Sequence, residues 1–146
     1  MSDKPFNPLL LENQLCFSLY ATSLAMTQLY KPLLDKLGLT YTQYLIMMVL
    51  WEKDGLKLNE IGEQLGQKSG ALTPVIKRLT ADGLISRERC PNDDRQLKIS
   101  LTPMGLSLKK QAFEVNKCMV DNCMTDRSEL LSLKNQLDEL RSKLLR

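Results

Sequence analysis

The stretch from Leu58 to Leu101 constrains this chain most, because its apolar pattern changes from helical to alternating within one short span. Leu58, Ile61 and Leu65 recur at helical spacing, Gly66 supplies a turn, and Leu72, Val75, Ile76 and Leu79 form a second apolar stripe. Two helices joined so closely meet at a sharp angle. After Gly83, Leu97, Ile99 and Leu101 face one way and Lys98 and Ser100 the other, as in a half-solvated strand, with Leu84 to Arg89 as its hairpin partner. The pattern predicts a winged helix-turn-helix: a mainly α fold with a small β-hairpin wing.

A chain of 146 residues has room for one domain, and this length buries about 68–70% of its unfolded surface without staples. The DNA-binding unit would span about 57–101, with dimerisation helices at about 8–37 and 103–146. The net charge of +3 permits a polyanionic partner without demanding one. No apolar run approaches the roughly 20 residues of a membrane span, and residues 1–14 lack a basic start followed by an apolar block and cleavage site, so a cytoplasmic protein is expected. The four cysteines, at positions 16, 90, 118 and 123, show no metal-ligand spacing, and there is no histidine. Structural zinc, a histidine triad and a bound cofactor are therefore not expected.

Along the chain, Asn7 is placed to cap a helix beginning at Pro8 and running toward Tyr30, whose interior carries Leu15, Leu19, Met26 and Leu29. Small side chains at its midpoint, Ala21, Thr22, Ser23 and Ala25, would let another helix approach closely. Pro32 ends or kinks this helix, and Gly38 stops the turn that follows. Thr40 and Gln43 form a capping box opening a helix over Tyr41–Glu52. The unbroken run Tyr44–Trp51 has the periodicity of a buried strand or a buried helix, and its length and methionines favour the helix. Asp54-Gly55 then turns the chain. Beyond the central unit, Thr102-Pro103 reads as cap and first residue of a long helix reaching about Asn122. Thr125 or Asp126 begins the last helix, where Leu130, Leu133, Leu137, Leu140 and Leu144 make a coiled-coil-like seam. Together with Leu131 and Leu145, that seam offers more apolar surface than one neighbour covers, which favours a homodimer.

In the second helix of the central unit, Ser69 is a candidate cap, and Thr73, Lys77 and Arg78 stand opposite the apolar stripe. Such a helix fits a major groove, where hydroxyls read base edges and cations hold bases or phosphates. A solvated face can carry the same residues, and seven basic against four acidic side chains between Lys68 and Lys98 is an ordinary balance. The loop Cys90–Gln96 adds weight: it puts Asp93-Asp94-Arg95 at a hairpin tip, where a lone arginine can enter a narrow minor groove. A dimer of such units would bind double-stranded DNA with a pseudo-palindromic operator.

Ser-Gly-Ala-Leu-Thr-Pro at 69–74, Lys77-Arg78-Leu79, Gly83-Leu84 and the Asp-x-Arg of Asp93 and Arg95 resemble the MarR family of winged-helix regulators over nearly the whole chain. Leu11-Glu12-Asn13-Gln14-Leu15-Cys16-Phe17 and Leu39-Thr40-Tyr41-Thr42-Gln43-Tyr44 are similar to its organic-hydroperoxide-sensing, OhrR-like subfamily. That resemblance implies a repressor that releases DNA when a cysteine, here Cys16, is oxidised. It also implies that two tyrosines of the partner chain, here Tyr30 and Tyr41, donate to the thiolate.

The spacing supports a site shared between subunits. Cys16 and Tyr30 project from nearly one face of a straight helix but lie about 21 Å apart along it. If two such helices cross antiparallel near Ser23, Cys16 of one meets Tyr30 of the other. Thiols titrate near 8.5 and react with peroxide as thiolates, so the site must stabilise negative charge. A helix starting at Pro8 puts Cys16 in its third turn, beyond the reach of the helix dipole, which leaves the Tyr30 and Tyr41 hydroxyls as the candidates. Phe17, Tyr20, Leu45 and Met48 could line a pocket for apolar peroxides.

Some members of the resembled subfamily resolve the sulfenic acid with a second cysteine of the partner, toward the end of the long helix after the wing. Cys118 and Cys123 are the candidates here. At 100° per residue they project about 140° apart, and the stripe Leu108, Ala112, Val115 and Met119 runs nearer Cys123, which favours Cys118 as the accessible one. A low-molecular-weight thiol is the remaining possibility, since Cys90, at the base of the wing, would be too far away. Two other classes share parts of this pattern. A MarR-type regulator of a phenolic or other small ligand would not need Cys16. A thiol peroxidase would not need the DNA unit, and no Cys-x-x-Cys or nearby basic residue supports turnover, so no catalytic residue is assigned.

Overall fold

The computed structural model describes residues 5–123 and 126–145, with the side chains of residues 93–95 and 123 left outside the description. Its helices are α1 (Leu15–Asp35), α2 (Tyr41–Glu52), α3 (Leu58–Leu65), α4 (Ser69–Ala81), α5 (Pro103–Ser107), α6 (Lys109–Cys123) and α7 (Arg127–Leu144), and its strands are β1 (Leu56–Lys57), β2 (Ile85–Cys90) and β3 (Asp93–Leu101). Residues up to Lys109 form one compact unit and those from Lys110 onward a second. Among the described residues no helix is long and apolar enough to cross a membrane.

The start of the chain departs from expectation. Asn7 does act as a local acceptor, taking the Leu9 N–H at 2.9 Å, but α1 begins only at Leu15, after a short 3₁₀ turn over Leu11–Asn13. The cause is competition by side-chain amides: Asn13 donates to the Asn7 carbonyl at 2.8 Å and Gln14 to the Pro8 carbonyl. Those are the acceptors an α-helix from Pro8 would have used. Nor does Pro32 end the helix, which runs through it to Asp35. Leu34 and Leu37, just beyond the proline, are buried, and the terminal turn closes with the Leu39 N–H on the Leu34 carbonyl at 3.1 Å. Their burial outweighs the one backbone bond that proline removes.

The capping box at α2 is formed. Thr40 Oγ1 accepts from the Gln43 N–H at 3.3 Å, and Gln43 Oε1 accepts from the Thr40 N–H at 2.9 Å. The ambiguous apolar run is helical, and Tyr44, Ile46, Met47, Val49 and Leu50 are buried. At Asp54 the chain turns as expected, because its carboxylate accepts from the Gly55 N–H at 2.9 Å and the Leu101 N–H at 2.8 Å.

The helix-turn-helix is α3 and α4, joined through Gly66 at φ 68°, a left-handed conformation that favours glycine. Ile61, Leu72, Ile76 and Leu79 are buried on the facing stripes. The wing is a three-stranded antiparallel sheet in the order β1-β3-β2, not a hairpin alone. β1 is too short to show a period; its Leu56 and Lys57 lie opposite Ile99 and Lys98. Between β2 and β3 the register steps from Arg89 opposite Leu97 to Cys90 opposite Asp93, so β3 carries three extra residues, 94–96, near the tip.

Thr102 caps α5 as expected, accepting from the Gly105 N–H at 3.1 Å. The long helix expected after it is broken at Leu108 into α5 and α6. In the second unit Ala112, Val115 and Met119 are buried along one side of α6. Asp126 caps α7 through the Ser128 N–H at 3.0 Å, whereas Thr125 lies outside the described residues. No described residue of α7 is buried.

Gly105 lies against the end of the recognition unit: a Cβ there would come within 2.1 Å of the Leu84 carbonyl oxygen. Gly105→Ala is therefore expected to lower unfolding free energy by about 1–3 kcal/mol or more, the range of overpacking penalties, as measured by urea denaturation. An unchanged midpoint would show that the α5 backbone can retreat.

Candidate functional site: a tyrosine pair, a distant thiol and a basic helix

Cys16 is the second residue of α1 and is exposed. Because the helix starts later than expected, the thiol lies in the first turn, not the third. It therefore stands near the helix N-terminus, where backbone N–H groups lack intrahelical acceptors.

Tyr30 and Tyr41 come together within one chain, with ring centroids 5.0 Å apart and planes tilted by 45°. Tyr30 comes from the C-terminal half of α1 and Tyr41 from the first turn of α2. Burial raises the Tyr41 hydroxyl above its ordinary value, so it is a neutral donor over the physiological range. A cleft of about 360 Å³ opens beside it, lined by Thr27, Lys31, Leu34, Leu39 and Thr40 among others. Cys16 remains about 21 Å up the same helix from Tyr30, fourteen residues at 1.5 Å each. Within one chain the Tyr30–Tyr41 pair and the Cys16 thiol therefore lie apart.

The sequence reading missed Tyr44 and Trp51. Tyr44 is 2% exposed and lies 5.8 Å from Tyr30 and 6.4 Å from Tyr41 between ring centroids. Trp51 lies 6.3 Å from Tyr44, edge-on at 68°. The three-residue step from Tyr41 to Tyr44, one helical turn, was the available signal.

Of the residues expected to line a peroxide pocket, Phe17, Tyr20 and Met48 are exposed and Leu45 is half-buried in the single chain. Leu15, Leu24, Met26 and Leu29 of α1 are also exposed, as are Leu131, Leu133, Leu137 and Leu144 of α7. On each helix taken by itself, so many exposed large apolar side chains suit an interaction face.

On α4, Lys77 and Arg78 are exposed as expected, and Arg78 forms a surface ion pair with Asp82 at 3.6 Å. Such pairs contribute little and yield readily to a phosphate. Ser69 is not the cap. Lys68 holds that position without a side-chain bond, and Ser69 is the first helical residue, because the Ala71 N–H already bonds the Lys68 carbonyl at 3.0 Å. Thr73 is half-buried and donates to the Ser69 carbonyl at 3.0 Å, so Gly70, Ala71 and Pro74 stand further outward on that face. Asp93 and Arg95 lie in β3 past the turn at Pro91 and Asn92; their side chains are outside the description.

Cys118 is half-buried on α6, and its carbonyl accepts from Asn122 Nδ2 at 2.8 Å; the Cys123 side chain is outside the description. Cys90, expected at the base of the wing, is instead the last residue of β2 beside the turn. The bulge in β3 lets β2 reach further than the alternation suggested.

Recognition helix, wing and flanking helices define a winged-helix regulator of the MarR type. Residues 28–112 match the family described as transcriptional regulator SarA/Rot. The organic hydroperoxide resistance transcriptional regulator of Bacillus subtilis (strain 168) is 45% identical over 135 residues, covering 92% of each chain. Reduced AbfR bound to DNA has a TM-score of 0.80 at 37% identity, over 93% of this chain and 95% of that one. Disulfide-formed AbfR has a TM-score of 0.64 at 40% identity, over 92% and 89%; AbfR is a protein of Staphylococcus epidermidis. The chain belongs to the SarA/Rot family of transcriptional regulators, built on the MarR-type winged helix. These relatives are regulators rather than enzymes, which sets aside the thiol-peroxidase reading.

The tyrosine cluster has an alkaline signature. Burial raises Tyr41, and burial followed by the neighbouring Tyr41 raises Tyr44, from an ordinary value of 10.0. The unfolded chain therefore ionises first, so stability is unaffected by these groups below pH 10 and is lost as pH climbs through the raised folded values. Denaturant midpoints should fall above pH 10, and Tyr41→Phe should make that fall shallower; equal slopes in both proteins would dissociate Tyr41 from it.

Proposed function

We propose that this chain is a cytoplasmic DNA-binding repressor that senses organic hydroperoxides through Cys16. The protein acts as a homodimer. The observation that carries the reading is the separation of the Tyr30–Tyr41 pair, 5.0 Å apart in one chain, from an exposed Cys16 on the same helix. Two α1 helices crossing antiparallel near Ser23 reunite them, Cys16 of one protomer against the hydroxyls of its partner. The exposed apolar faces of α1 and α7 supply the surface that such a dimer buries.

The Cys16 thiolate attacks the terminal oxygen of the hydroperoxide. An S–O bond forms, the O–O bond breaks, and the alkoxide leaves as the alcohol after taking a proton, giving a sulfenic acid. A partner thiol then attacks sulfur. An S–S bond forms, the S–O bond breaks and water leaves. Cys118 of the other protomer is our choice for that thiol, with Cys123 or a low-molecular-weight thiol as the alternatives. A disulfide needs Cα atoms within about 7 Å, so bridging moves helices and spreads the recognition helices off the operator. AbfR supports the idea by analogy: this chain matches the reduced, DNA-bound form better than the disulfide form at similar identity.

On DNA, the two α4 helices would enter successive major grooves of a pseudo-palindrome, about 34–36 Å apart. Ser69, Thr73, Lys77 and Arg78 would face bases and phosphates, and Arg95, oriented by Asp93, would enter the minor groove from the wing.

Cys16→Ser should bind a duplex selected by the unmodified protein with equal affinity yet stay bound after organic hydroperoxide treatment. Normal release by Cys16→Ser would move the sensor elsewhere and make a small-ligand regulator the leading reading.

Non-reducing electrophoresis after peroxide should show a covalent dimer that Cys118→Ser abolishes. A dimer lost instead in Cys123→Ser reverses the assignment, and no covalent dimer at all points to the external thiol.

A further inference from the structure

We propose that Tyr44 is a positioning residue for peroxide sensing, its ring holding the Tyr30 and Tyr41 hydroxyls where they meet the thiolate of the partner's Cys16. The inference rests on the sensing function proposed above and assigns a role to a residue outside the donor pair.

The two donors belong to different helices, so their relative placement depends on what packs behind both. Tyr44 does so. It is 2% exposed, and its ring centroid lies 5.8 Å from Tyr30 and 6.4 Å from Tyr41, tilted by 45° and 46°. These distances fall within the range in which aromatic rings attract specifically and resist sliding. A tyrosine has two side-chain torsions, so a ring pressed against its flank fixes the direction of its hydroxyl.

Tyr44 is itself braced. On its far side Trp51 stands edge-on at 6.3 Å, and the Trp51 indole N–H donates to the Gly105 carbonyl at 3.0 Å. The Trp51 carbonyl in turn accepts from Lys109 at 3.4 Å. The brace thus runs from the donor pair through Tyr44 and Trp51 to α5, whose cap Thr102 holds the Gly83 carbonyl at 2.6 Å. A side chain that only filled core would need none of this geometry. Hydrogen-bonding constellations work only when supporting residues lock their rotamers, and displacement of about 1 Å costs as much as a hundredfold in rate.

The test uses the full-length chain with tert-butyl hydroperoxide as the probe. Sulfenic acid on the Cys16 peptide is trapped with dimedone and quantified by mass spectrometry across pH. Tyr44→Met, which keeps an apolar filler but removes the flat ring, should react about tenfold to a hundredfold more slowly, with the pH midpoint of the rate displaced upward. Tyr44→Phe, which keeps the ring, should restore the parent rate and profile. A parent-like rate and profile in Tyr44→Met overturns the proposal, as does slowing without any change in pH dependence, the mark of a merely structural role. Equal slowing in Tyr44→Phe would also overturn it, because the hydroxyl and not the ring would then matter. If Tyr44→Met does not fold, Trp51→Phe decides: it leaves all three tyrosines but removes the bond to Gly105, and should slow the reaction in the same sense, whereas a parent profile overturns the proposal. Cys16→Ser separates the two levels. If it still releases DNA on peroxide treatment, the sensing function falls and this role with it; if it is inert while Tyr44→Met behaves as the parent, only the role of Tyr44 falls.

Discussion

Ile46 and Met47 have no exposed surface, and the helix that carries them touches α1, α3, α4 and β3. Burial of the inner face of α2 against four neighbouring elements is the constraint from which the rest of the first unit follows. Fully burying an aliphatic side chain stabilises by about 1.5–3 kcal/mol, and α2 buries four such side chains besides Tyr44. The capping box at Thr40 fixes where this helix begins, satisfying the Thr40 and Gln43 amides at its part-buried end. Because α2 lies between α1 and the helix-turn-helix, a change at the α1 tyrosine must pass through or around it to reach the recognition helix.

The chemistry is divided along the same lines. Partial burial keeps the Tyr41 hydroxyl protonated against the buried Tyr44 ring, while the exposed thiol of Cys16 stands in the first turn of α1. Tyrosines can pack into an apolar interior because their rings bury well and only the hydroxyl needs a partner. Within one chain the tyrosine pair and the exposed thiol stand apart; under the proposed function a second chain completes the site, which would tie sensing to assembly.

On the DNA side the division is between shape and charge. Helix α4 packs Leu72, Ile76 and Leu79 inward and leaves Lys77 and Arg78 in solvent. Gly70 and Ala71 stand outward without bulk, so the helix backbone can sit deep in a groove. β1 ties the start of α3 to β3 through Leu56 and Ile99, so wing and helix-turn-helix are joined by a backbone ladder.

Much was legible from residue order alone, where the cause is local. The stripes of α3 and α4, the glycine between them, the caps at Thr40, Thr102 and Asp126 and the span Tyr41–Glu52 depend on neighbours within a turn or two, and the structure reproduces them. What required the tertiary structure depends on distant or competing partners. The late start of α1 was decided by the Asn13 and Gln14 amides folding back on Asn7 and Pro8. Its passage through Pro32 was decided by the burial of Leu34 and Leu37. Strand β1 exists because β3 offers it a ladder, and Tyr44 gains a role because Tyr30 arrives from another helix. The sequence by itself determined which residue types could bind DNA, react with peroxide or donate to a thiolate, since those are properties of single side chains and short spacings. Only the tertiary structure decided that Cys16 stands in a helical first turn and that Tyr30, Tyr41 and Tyr44 pack in one cluster, because both depend on hydrogen bonds and packing that linear order does not contain.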